Sequence, residues 1–148
     1  NQIPLTGVKL ADDKVTITAD LAPAYEPEVG VKSFTRRFEF TAPAEFVVTD
    51  DVKTAKPQKI TAYLHSDTSI VEKDKRTFEF EPGGTSLLAD VTAPENATLT
   101  IEKNILTAPG RPGSDDKGER EERGIRLAIT TAEPVKKAQF VVRLKIKP

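Results

Sequence analysis

The chain has 148 residues, 37% hydrophobic and 30% charged, which suits one folded domain with a well-solvated surface and excludes a disordered composition. Its 22 basic and 23 acidic residues nearly cancel, against the basic excess that a dedicated nucleic-acid binder needs to displace counterions. No apolar run approaches the roughly 20 residues that span a membrane, and the lack of Cys excludes disulfides and thiolate metal sites.

The first predicted elements are a short alternating pair, 3–10 and 14–19, around the turn Ala11-Asp12-Asp13. Val15-Thr-Ile17-Thr-Ala19 has the β-branched content and period-two pattern of a strand. Residues 21–30 carry Pro23, Pro27 and Gly30 and read as a loop. A hairpin follows, 31–41 and 45–52, turning at Pro43 and closed by Asp50–Asp51. Phe34, Phe38 and Phe40 share one face of it, Phe46 and Val48 resume the alternation, and four of the seven Phe residues lie here. The core is expected around this hairpin.

Residues 53–56 read as a connector and 58–66 as a strand, with Ile60, Ala62 and Leu64 on one face and Thr61, Tyr63 and His65 on the other. Residues 68–72 read as its partner or continuation, and Lys73-Asp74-Lys75 as a charged turn. Residues 76–81 alternate with Phe78 and Phe80 inward, and Pro82-Gly83-Gly84 forces a break. Strands resume at 85–92 and, after the turn Pro94-Glu95-Asn96, at 97–102. Residues 108–123 have no large apolar side chain and read as one long mobile loop inside the domain. Ile125, Leu127 and Ile129 then line one strand, and Phe140, Val142, Leu144 and Ile146 another. No window holds helical apolar spacing. About ten strands with frequent turn signals predict an all-β fold, an antiparallel two-sheet β-sandwich forming a single domain over 1–148.

The catalytic inventory is thin, with one His, no Cys and no nucleophile, metalloprotease or phosphate-loop motif. His65 and Asp67 supply at most two metal ligands, so no metal and no cofactor are expected. The acidic pairs Asp12–Asp13, Asp50–Asp51 and Asp115–Asp116 read as turn formers and strand terminators. Tyr63 and His65 share a strand face that could bind a sugar by stacking and hydrogen bonding, serve a lyase as acid and base, or contact a neighbouring domain. Arg36 shares parity with Phe34 and Phe38, so it either pairs with a carboxylate or carbonyl at the rim of the apolar face or binds an anionic sugar.

Several segments together resemble the C-terminal β-sandwich region of the heparinase II/III-like polysaccharide lyases. They are Ala24-Tyr25, Arg36-Arg37-Phe38-Glu39-Phe40, Pro43, Phe46-Val47-Val48-Thr49-Asp50, Thr61-Ala-Tyr63-Leu-His65-Ser66, Arg126-Leu127 and the terminal strand 140–148. The resemblance runs from about Leu21 onward. It implies a parent enzyme with an N-terminal α/α toroid that cleaves uronate glycans by β-elimination. The His-x-His-x-Asp, Asp-x-Gly and Ala-His-Asn motifs of that family are not found here, so no catalytic or metal residue is carried over. The absence of Met, with Asn1 first, leads to the same expectation of a processed product or excised domain.

The expected function is therefore a non-catalytic C-terminal domain supporting the toroid of a bacterial, periplasmic or secreted lyase. Its expected partners are the catalytic domain of the parent chain and an acidic polysaccharide, with no nucleic acid and no membrane. Tyr63, His65 and Arg36 are the candidate glycan or domain-interface contacts. An independent carbohydrate-binding or immunoglobulin-like adhesion module is the alternative.

Overall fold

The computed structural model describes residues 3–81, 85–108 and 122–147. Eleven strands run in order: β1 (Leu5–Leu10), β2 (Lys14–Asp20), β3 (Val31–Thr41), β4 (Glu45–Gln58), β5 (Thr61–Ser66), β6 (Ile70–Asp74), β7 (Thr77–Phe80), β8 (Ser86–Ala93), β9 (Thr98–Ala108), β10 (Glu122–Thr130) and β11 (Val135–Lys147). The predicted loop after β2 holds two short 3₁₀ turns, Ala22–Ala24 and Pro27–Val29. Gly30 ends the second in the left-handed region at φ 75°, a geometry that a side chain would strain, and so turns the chain into β3.

The strands form two antiparallel sheets, as the alternation predicts. The larger has eight strands in the order β1-β2-β3-β4-β11-β8-β7-β6, and the smaller three, β5-β10-β9. The core lies where the small sheet covers one half of the large one. Phe78, Phe80, Ala89, Val91, Phe140 and Val142 from the large sheet meet Ile125, Leu127 and Ile129 of β10, with Ala62 and Leu64 of β5 packed against them.

The unequal strand numbers correct the expected core. Phe34, Phe38 and Phe40 do share one face, and that face is the inner one, because register places Phe38 opposite Val48 and Val48 opposite Val142. Only Phe34 of the three is buried, and Phe38 is 41% exposed. The hairpin carries the most Phe, but the second layer stops short of it. The row Val8–Ile17–Phe38–Val48–Val142–Val91 shows the transition, from 56% exposed at Val8 to 4% at Val142 and 1% at Val91.

Other boundaries also move. Residues 53–56, read as a connector, continue β4, because β3 and β11 keep pairing with its far end through bulges. Residues 58–60, read as strand, lie outside β5, and the strand at 70–74 pairs with β7 in the other sheet rather than with β5. Asp50–Asp51 does not end the hairpin but sits in mid-strand. Of the loop expected at 108–123, Ala108 ends β9 and Glu122 and Arg123 open β10, while 109–121 lie outside the described residues, as do Pro82, Gly83 and Gly84.

Candidate functional site

The edge of the small sheet and the exposed half of the large one meet in a cleft of about 340 Å³. Phe34, Arg36, Asp50, Val52 and Phe140 contribute from the large sheet, Thr61, Ala62 and Tyr63 from β5, Tyr25 from just after the first 3₁₀ turn and Val29 from the second. Tyr25 packs its ring on Phe34 with centroids 5.8 Å apart, and Gln58 Nε2 donates to the Val29 carbonyl at 3.5 Å, which ties the turns to the end of β4.

Arg36 and Asp50 stand directly opposite each other on β3 and β4. Arg36 donates through Nε to Asp50 Oδ1 and through Nη2 to Oδ2, both at 2.6 Å. The planar fork of the guanidinium matches both carboxylate oxygens at once. Asp50 is only 4% exposed, whereas the Arg36 side chain is about one-third open to the cleft. The guanidinium also lies 5.7 Å from the Phe34 ring centroid and 5.9 Å from that of Phe38. The hydrogen bond that Arg36 donates to Asp50 raises the Arg36 pKa above its ordinary value, against the opposing effect of burial. Of the two alternatives weighed for Arg36, a carboxylate partner is present and occupies two of its nitrogens.

Tyr63 borders this cleft, and His65, one pleat further along β5, does not line it. Their rings lie 6.1 Å apart. On the neighbouring strand Arg126 stands opposite His65, stacks its guanidinium 4.0 Å from the Tyr63 ring centroid, and donates through Nε to Glu102 at 2.6 Å. Tyr63 remains exposed. The structure thus brings Tyr63 and His65 together with Arg126, and sets Arg36 apart with Asp50. Among the described residues no group of three His, Asp or Glu side chains converges as a metal site.

Asp50, which reads as a strand terminator in the sequence, is instead the partner of Arg36. The signal was available in the hairpin register. Thr41 pairs with Glu45, and five residues outward on each strand are Arg36 and Asp50. Arg126 and Glu102 had no comparable signal, since no tight turn between their strands fixes a register in the sequence.

No family model matches the sequence, and no curated protein matches it. Solved structures do. A heparinase III structure superposes on 99% of this chain with a TM-score of 0.74 at 12% identity. The chain has the fold of a heparinase III segment. A heparan sulfate lyase HepC from Pedobacter heparinus matches 98% of the chain with a TM-score of 0.73 at 13% identity, and another heparinase III matches 97% with 0.69 at 8%. In each case the chain spans only about a fifth of the solved protein, 21% or 22% of its length. The resemblance read from scattered motifs therefore extends over the backbone, at identities that carry the fold alone.

Proposed function

We propose that this chain is a non-catalytic C-terminal β-sandwich domain of a heparinase-like polysaccharide lyase. Its role is to support a toroid domain that cleaves uronate glycans by β-elimination. The observation that carries this reading is the coverage: almost the whole chain matches a fifth of each heparinase III chain. The apolar inner face of β1–β4 supports it, since an exposed face of that kind marks a partner surface. The charge pattern agrees, because Arg36, which lines the cleft, is already paired with Asp50. The setting proposed for the parent enzyme is the bacterial periplasm or exterior.

The test compares the 148-residue chain with the full-length product of its gene on heparan sulfate, following the ultraviolet absorbance of the unsaturated uronate that β-elimination leaves. The full-length product is expected to turn over and the chain alone to be inert. Turnover by the chain alone would end the non-catalytic assignment; an inert full-length product would end the lyase assignment.

One observation favours a second reading, that of a glycan-binding module. Tyr63 is exposed, flanked by His65 and backed by the stacked Arg126, which suits a sugar ring lying beside a cation. Titration of the chain with acidic oligosaccharides, with Tyr63→Ala as control, separates it from the first.

A further inference from the structure

Among the described residues, an eight-stranded sheet covered by three strands has an unfinished second layer. That layer stops at β5, whose first half borders β4 and β11: Thr61, Ala62 and Tyr63 share the cleft with Val52 and Phe140. Beyond it the inner face of β1–β4 continues as an apolar floor of Val8, Ile17, Phe38, Phe46 and Val48, partly or largely exposed. With strands about 4.8 Å apart and sheets stacked about 10 Å apart, this floor has room for roughly three or four further strands in the plane of the small sheet. The opposite face of the same strands carries the ion pairs Lys14–Glu39 and Arg37–Glu39, and Glu45 of β4 there meets Arg143 of β11. Only one face is built to be covered.

The sheet edges point to how it is covered. Exposed edges invite pairing unless bulges or charges block them. β1 carries Lys9 and a register break between Leu5 and Gly7. β6 carries Glu72, Lys73 and Asp74 with a break among them. β9 carries Glu102 and Lys103, and its register with β10 breaks twice. β5 has none of these. Its sequence Thr-Ala-Tyr-Leu-His-Ser contains no Lys, Asp, Glu, Pro or Gly, and its register with β10 is unbroken from Thr61–Thr130 to Ser66–Ile125. Among the described residues its other flank is unpaired, and its first half, Thr61, Ala62 and Tyr63, lines the cleft.

We propose that the free edge of β5 accepts a β-strand from the remainder of the parent chain, extending the small sheet across Phe38 and Phe46. This rests on the reading of the chain as one module of a longer lyase. The occupant is assigned to the same polypeptide because the solved proteins that share this fold are about five times longer than the matched segment. Strand addition supplies what the site offers, an unblocked row of backbone donors and acceptors beside an apolar floor.

The experiment is amide hydrogen exchange resolved at residues 61–66, in the 148-residue chain and in the full-length product of its gene. In the chain alone, alternate β5 amides that point away from β10 exchange fast. In the full-length product the same amides slow by roughly tenfold or more, because each gains a ladder partner. Unchanged fast exchange there overturns the proposal, as it would if a helix or loop covered Phe38 without bonding to the edge. Slow exchange in the chain alone, with a dimer by sedimentation, also overturns it, because the occupant is then a second copy. Lyase activity of the same full-length sample is read separately. An active enzyme with a fast-exchanging β5 sinks the strand addition alone, and an inactive product with a protected β5 sinks the lyase reading alone.

Discussion

Arg36→Met tests the polar pair set into the apolar face. The substitution keeps a long apolar stem between Phe34 and Phe38 but leaves Asp50, 4% exposed, without its two donors. Removing one partner of a fully buried pair costs about 3–5 kcal/mol. Here the Arg36 side chain is about one-third open and the cleft admits water beside it. Solvent screening brings the expected loss to about 2–3 kcal/mol. Asp50→Asn should cost less, about 1–2 kcal/mol, because the orphaned guanidinium can turn into the cleft and keeps one acceptor. The double variant Arg36→Met/Asp50→Asn should then show a coupling of about 1–2 kcal/mol. Urea denaturation, with the dependence on denaturant checked to be constant, gives all four corners of the cycle. An Asp50→Asn loss larger than that of Arg36→Met, or additive losses, would refute the claim that burial of the carboxylate sets the cost.

Three more outcomes are expected. Leu127→Ala, at a fully buried site in β10, should cost about 2–5 kcal/mol, while Phe38→Ala should cost under about 1.5 kcal/mol in the chain alone, as its ring is already 41% exposed; paired denaturation curves check the contrast. Arg126→Ala should lower stability by about 0.5–1.5 kcal/mol through the lost Tyr63 stacking and Glu102 contact, and the fluorescence of Tyr63 should change with it. Lys14 holds the Glu39 carboxylate below its ordinary pKa of 4.5, and Lys73 does the same for Glu79. Both groups therefore add stability above about pH 4.5 that is lost as the pH falls through their lower folded values, so the thermal midpoint should fall as the pH is lowered from about 5 to 3 and Lys14→Met should reduce that slope.

Strand by strand, much of the fold was legible. Period-two alternation placed Ile125, Leu127 and Ile129 on one face, and Phe78 with Phe80, and all five are buried. The hairpin turned at Pro43 within the expected limits. The misplaced boundary after the hairpin has a tertiary cause. Residues 53–56 are Lys-Thr-Ala-Lys, without a strand-like apolar pattern, and are held extended by pairing with β3 and β11 rather than by their own preference. The candidate site was half legible. For Arg36 a carboxylate partner was one of two alternatives, and hairpin register names it, whereas Arg126 reaches Tyr63 only because β10 pairs with β5 across more than fifty residues of chain.

Which side chains share a face was thus settled by the sequence alone, because alternation along a strand is local geometry. Which stretch of that face is buried was decided only by tertiary structure. Phe38 and Val142 lie in one cross-strand row of the same sheet, and only the reach of a three-stranded second layer leaves one exposed and the other in the core. Burial of a strand face depends on what is stacked above it, and no local pattern encodes where that layer ends.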